Sequence, residues 1–337
     1  MKRLSILGAA AALLLTTATV VATPSSGITA VDLARGTSAA AYTITTGANR
    51  EIATQTLTFA AGGTSTSGWH THPGPVVTIV QSGTMSIWFS SDCTLRTVTA
   101  GQAIVVPGAG VFDLARNNDA AVPLVIVQTY YNVPVGGALR TDAPTPQCSS
   151  AVPAVPQDMA VVGITAVNHS RTRLAPALSI TGPANTDLMI QQLTFAPGAS
   201  TGWHSHHGPL TVGIESGELA FVHADCMSFA YPAGTAFLDP GVVHLAPSAV
   251  ASTAFVTYTN VPVGAAVRID QPAPACTAAP AATAVPAPAA TAAPAPLLPN
   301  TSSDAVTGAP NGTGLLMLTL LLAIGCAGLL VWRRRSA

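Results

Sequence analysis

The stretch "ASTGWHSHHGP" at 199–209 decides the fold, because a near copy, "STSGWHTHPGP", stands at 65–75. On an extended strand, two histidines one residue apart face the same way. His70 and His72 in the first copy, and His204 and His206 in the second, therefore each present two imidazoles to one side. That is how an extended chain offers a pair of nitrogen donors to one metal ion.

The copies belong to a longer repeat. "GITAVDLARG" at 27–36 returns as "GITAVNHSRT" at 163–172, "QTLTFAAG" at 55–62 as "QQLTFAPG" at 191–198, and "YNVPVGGALRTD" at 131–142 as "TNVPVGAAVRID" at 259–270. The chain thus reads as two homologous domains, 23–150 and 151–276. Each carries short Val/Ile/Thr/Phe-rich runs punctuated by Gly, Pro and Asn, the pattern of an all-β barrel or sandwich. Gly83 and Gly217 follow "VQS" and "IES", where a hairpin turn needs positive φ. The cysteines follow the same repeat: Cys93 and Cys226 close "SSDC" and "HADC", and Cys148 and Cys276 close "APTPQC" and "APAPAC". In an exported chain one pair per domain reads as disulfides Cys93–Cys148 and Cys226–Cys276, with four free thiols as the alternative.

Charge is scarce. Of 337 residues only 8% are charged, against ~25% in ordinary domains. The net charge of −1 gives no electrostatic footprint for a nucleic-acid partner. The only glutamates are Glu51, Glu215 and Glu218, so carboxylate ligands come from a short list.

Both ends read as address and anchor. Residues 1–22 have a basic start, an apolar run and a small-residue end, the plan of a secretory signal peptide cut after Ala22. Residues 315–332 are apolar or small and precede Arg333–Arg335, which suits one transmembrane helix with a basic cytoplasmic tail at 333–337. Cys326 in that run reads as apolar filling. The Pro/Ala-rich linker 277–314 is a stalk; its 277–296 portion reaches about 60 Å in extended form. Leu298-Pro299-Asn300-Thr301 resembles the start of a Gram-positive sortase signal, with Ser302 where that signal has Gly. The expected place is the extracellular face of the membrane, with cell-wall attachment as the alternative.

The ordered motifs in both copies resemble the cupin family. Its first motif is matched by Gly198, His204, His206, Leu210 and Gly217, and by His70, His72, Val76 and Gly83. Leu210 and Val76 stand where the family has a glutamate. Its second motif is matched, with one residue fewer or more, by Gly234, Pro240, Gly241, His244 and Ser248, and by Gly101, Pro107, Gly110, Asp113 and Asn117. The resemblance covers both domains and implies two tandem jelly-roll barrels, a bicupin.

The resemblance also implies a divalent transition metal inside each barrel. Carried over residue by residue, the ligands are His204, His206 and His244 in the second domain. In the first they are His70, His72 and Asp113, the composition of a two-histidine, one-carboxylate iron site. Fe, Zn, Cu, Mn and Ni all remain open. Asp113 capping a turn in "FDLARNND" is the alternative to ligation, and in a degenerate barrel each His-X-His is a metal-free hydrogen-bonded pair. His207 points to the opposite face, His223 aligns with Ser90, and His169 has no evident partner. Trp69 and Trp203 fall opposite the ligand face and read as packing residues.

Three functions compete: a metal-dependent dioxygenase, decarboxylase or isomerase acting on a small-molecule substrate; a displayed module binding a metal or small ligand without turnover; and a structural surface protein with metal-free barrels. Asp239 and Tyr231 are the few acid–base groups near the second set, so little proton-transfer machinery is visible. A fold this widely reused does not choose among the three.

Overall fold

The computed structural model describes residues 24–149, 155–275 and 283–285. Every helix or strand among them is a β-strand. The segments expected to be a signal peptide (1–22), a transmembrane helix (315–332) and a cytoplasmic tail (333–337), with most of the expected linker 277–314, the Leu298 motif, Cys276 and Cys326, lie outside the described residues.

One large sheet threads both halves. Its order is Ser26–Ser38, Gln102–Val106, Val76–Ser82, Leu124–Val133, Arg50–Phe59, Ile164–Leu174, Thr235–Asp239, Leu210–Ser216, Ser252–Pro262, Thr186–Ser200 and the short Pro247–Ser248, and Thr186–Ser200 also pairs back onto Ser26–Ser38. Each half adds a smaller sheet. In the first it carries His70–Thr71, Phe112–Asn117 and Thr84–Phe89; in the second, His204–Ser205, His244–Leu245 and Glu218–His223. Each half is thereby a barrel: its share of the large sheet faces its own small sheet across an apolar interior.

The apolar runs show why. In Val76–Ser82 five consecutive residues are buried, where a strand with one wet face would alternate. Val76 and Val80 pack inside the first barrel, whereas Val77 and Ile79 join a separate cluster with Ile44, Tyr131, Leu174 and Ile180 between the halves. At that junction Tyr42–Thr46 pairs antiparallel with Leu178–Gly182, Ile44 opposite Ile180, and the hydroxyls of Thr129 and Thr257 meet at 2.8 Å.

The halves also exchange strands. Ser26–Ser38, at the start of the first half, pairs along its length with Thr186–Ser200 of the second. Ile164–Leu174, at the start of the second, pairs with Arg50–Phe59 of the first. Equivalent ion pairs fasten both exchanges: Arg35 Nε to Asp187 Oδ2 at 2.7 Å, and Arg171 to Glu51.

Turn chemistry follows the expected glycines. Gly83 (φ 80°) and Gly217 (φ 74°) take the left-handed conformation. A Cβ at Gly83 would stand 2.7 Å from the Pro123 carbonyl oxygen, and one at Gly217 2.3 Å from that of Ala251, so neither turn admits a side chain. Trp69 is fully buried against Trp88, Leu114 and Val155, away from the His70 face, and donates its indole N–H to the Pro156 carbonyl at 3.0 Å. Beyond Cys276, Thr283–Ala284 adds as a parallel strand to Phe229–Ala230, so part of the linker joins the second barrel's sheet.

Cys93 and Cys148 form a disulfide across 55 residues of sequence. Cys226 is also disulfide-bonded; Cys276, its partner on the sequence reading, is not described. Closing a loop of that length is worth about 4 kcal/mol in the chain-entropy account. A Cys93→Ser, Cys148→Ser variant is expected to lose stability of this order in urea unfolding, and an unchanged midpoint would contradict it.

Candidate metal centres

Register brings each candidate set together. In the first barrel the two-residue strand His70–Thr71 lies against Phe112–Asn117, with His70 opposite Asp113. In the second, His204 lies opposite His244. Asp113 and His244 therefore hold the same place in the two barrels, as their motif positions predicted. Asp113 caps no turn; its carboxylate faces His70 and His72. The donor atoms of His70, His72 and Asp113 all lie within 4.8 Å of one another, and so do those of His204, His206 and His244. All six are buried except His206, which is partly so.

The orientation of every imidazole is set by the backbone. Nδ1 of His70 bonds to the Gly68 carbonyl at 2.9 Å and that of His72 to Leu139 at 2.8 Å. Nδ1 of His204, His206 and His244 meets the carbonyls of Gly202, Val267 and Val242 at 2.9, 2.7 and 2.9 Å. A carbonyl oxygen only accepts, so each Nδ1 carries the proton. In the neutral ring each Nε2 is then a bare lone pair, aimed into the cluster. Burial keeps the rings neutral: it lowers His72 and His206 to about 4 and His204 to about 3, and it also lowers His70 and His244.

The carboxylates complete the pattern. Asp113 Oδ1 stands 3.6 Å from His70 Nε2, and its Oδ2 stands 3.6 Å from His72 Nε2. Asp113 Oδ2 is buried with no hydrogen-bond partner. Burial pushes the acid up to about 8, with Arg140, itself paired to Asp142, pulling the other way. Once ionised, Asp113 is an acceptor facing acceptors, and the separations are too long for hydrogen bonds. A buried polar atom without a partner is costly, and an ion supplies what each atom lacks. Separations of 3.4–3.8 Å match donors sharing one ion at bonds of about 2.1 Å. The donor set fits a divalent transition metal.

The second barrel holds a carboxylate that the motifs do not mark. Asp239 is buried, and its Oδ2 lies 3.8 Å from His206 Nε2 and 3.4 Å from His244 Nε2, again without a hydrogen-bond partner. Its Oδ1 accepts from the Gly241 N–H at 2.7 Å. Burial raises this acid to about 7. Leu210, where the glutamate is missing, pairs directly with Asp239, so the carboxylate enters the same interior from the neighbouring strand. In the first barrel the matching pair is Val76 and Val106. The sequence signal was an acid ending the apolar "TAFLD" just before Pro240, where the first copy has Val106 before Pro107.

The remaining candidates find other places. His207 is exposed. His223 registers opposite His244 as Phe89 does opposite Asp113, so its equivalent is Phe89 rather than Ser90; the two copies differ in length by one residue before the cysteine. His169 gains the partner that the sequence did not suggest, Thr56 Oγ1 at 2.8 Å across the exchanged strands. Tyr231 is stacked on Phe237 at 3.9 Å. In the first barrel a cavity of about 30 Å3 adjoins the donors, lined also by Thr78, Gln128 and Tyr130. It has room for an ion and one water-sized group.

No family model and no curated protein matches the chain. Solved structures do. The protein YhaK from Escherichia coli is 12% identical over 66% of this chain and 94% of its own, with a TM-score of 0.30. Bacillus subtilis oxalate decarboxylase, described with Mn(II) centres, is 11% identical over 71% and 80%, TM-score 0.33. A cupin 2 conserved barrel domain protein from Leptotrichia buccalis is 12% identical over 71% and 92%, TM-score 0.25. The neighbours include proteins of the cupin kind that the repeated motifs resemble.

Proposed function

We propose that this chain is a double-barrel cupin protein that holds a divalent transition metal in each barrel, displayed outside the cell by its C-terminal segment. One observation carries the metal reading. Five imidazoles have their only N–H tied to backbone carbonyls, and their bare Nε2 atoms converge with two buried carboxylates, each with one oxygen that has no hydrogen-bond partner. His70, His72 and Asp113 would hold the first ion; His204, His206 and His244, with Asp239 beside them, the second. The ion would supply a Lewis acid and open coordination positions. The display reading rests on the apolar ends and the Pro/Ala linker alone, and a plain membrane anchor serves it as well as a sortase-processed one.

The test is elemental analysis of the full chain after loading with Fe2+, Zn2+ or Cu2+. Two ions per chain are expected, falling to one in His204→Ala, His206→Ala and to one in His70→Ala, His72→Ala. A wild type that takes up none of the three would leave the structural-protein reading. The second barrel, with one imidazole more, is expected to fill first in a substoichiometric titration; equal filling would count against Asp239 and the extra histidine acting together.

A further inference from the structure

Resting on that metal reading, we infer that Asp32 of the first half is a positioning residue for the metal centre of the second. His206 lies with its ring 5.4 Å from that of Tyr258. Buried Tyr258 donates its hydroxyl to Gln191 Oε1 at 3.0 Å. Gln191 in turn donates Nε2 to Asp32 Oδ1 at 2.7 Å. Asp32 sits on the exchanged strand, directly opposite Gln191, with its own side chain at the surface.

The direction of this line follows from its outer end. A carboxylate only accepts, so it holds the Gln191 amide with nitrogen outward and oxygen inward. The inward oxygen then fixes the Tyr258 hydroxyl proton away from the cluster and holds the ring beside His206. The phenol thus gives the centre no competing proton donor, and its ring packs beside the imidazole that the Val267 carbonyl orients. Outer partners of this kind tune metal-binding histidines without touching the ion.

The first barrel repeats the line with one change. Tyr130, beside His72 at 5.4 Å, donates to Gln55 at 3.1 Å, and Gln55 donates to Asn168 Oδ1 at 2.7 Å. Asn168 takes the place of Asp32 in the repeat, but an amide presents either a donor or an acceptor, so it does not lock the direction. Tyr130 also reaches a second acceptor, Gln128 Oε1, at 2.5 Å. The charged lock is confined to the second barrel.

The test measures Zn2+ affinity by chelator competition in the full chain carrying His70→Ala and His72→Ala, where only the second centre fills. Asp32→Ala is expected to weaken binding about tenfold, at the low end for outer partners. Asp32→Asn, which like Asn168 offers an acceptor without locking the amide direction, should recover only part of the loss. Tyr258→Phe should lose as much as Asp32→Ala, and the two together no more than either. The visible bands of bound Co2+ should shift in Asp32→Ala. In the His204→Ala, His206→Ala chain, Asp32→Ala should leave first-barrel affinity unchanged. Unchanged Zn2+ affinity, additive losses, or equal losses in both barrels would overturn the inference and leave the metal reading standing. A chain with no ion at the second centre before Asp32 is touched would overturn both.

Discussion

Stripping the metal from the loaded chain at pH 8 is expected to lower its thermal midpoint by about 15–30 °C. With free metal a thousandfold above Kd, each site contributes about 4 kcal/mol, and in a unit of this size each kcal/mol moves the midpoint by about 2–4 °C. The effect should shrink towards pH 6.5, and the sign follows from the acids. Burial raises Asp113 to about 8 and Asp239 to about 7 in the metal-free fold, above the ordinary carboxylate value of the unfolded chain. The metal-free fold therefore binds these protons more tightly than the unfolded chain does. That contribution is fully present at low pH and is lost as pH rises through 7 and 8. A metal must displace the same protons, so apparent affinity rises with pH by up to about tenfold per unit until each acid is ionised. Calorimetry of loaded and chelated protein from pH 6.5 to 8.5 checks this; a gap that narrows as pH rises would contradict it.

Asp113→Asn is expected to move stability in opposite directions in the two states. In the metal-free protein the new amide nitrogen replaces one carboxylate oxygen and, closing the 3.6 Å gap, donates to the one Nε2 that it faces, on His70 or His72. Relieving unpartnered buried acceptors is worth about 1–3 kcal/mol, so the metal-free variant should be more stable than wild type at pH 8. In the loaded protein the same change costs the first centre, since two imidazoles remain. Asp239→Asn should weaken the second centre without abolishing it, because three histidines stay in place. Urea unfolding with and without chelator reads all four states. If Asp113→Asn destabilises the metal-free chain, the carboxylate is satisfied there in some other way, and the argument that an ion is needed fails.

Much of the fold was legible because a repeat shows itself in one dimension. Two copies of Gly-Trp-His-X-His, the paired cysteines and the matching turn glycines placed two homologous all-β domains along the chain, and the resemblance to cupin motifs made them barrels. Strand alternation put His70 with His72, and His204 with His206, on one face and each tryptophan on the other. The third members, Asp113 and His244, came from the resemblance to the cupin motifs, and the structure puts each on a strand that pairs with the His-X-His segment.

What the sequence by itself determined was the number of barrels, their strand content and the histidine side of each candidate centre, since these depend on local periodicity. Tertiary structure decided the rest. Asp239 joined the second centre only because Thr235–Asp239 lies beside Leu210–Ser216 in register, a contact between residues 29 positions apart (239 − 210) that no motif encodes. The reciprocal exchange of Ser26–Ser38 and Ile164–Leu174 was equally invisible, because strand-pairing preferences do not say which of two homologous sheets a strand will join. That choice set Asp32 beside Gln191 and His169 beside Thr56. Periodicity fixes which way a side chain faces; only pairing partners and register fix what it meets.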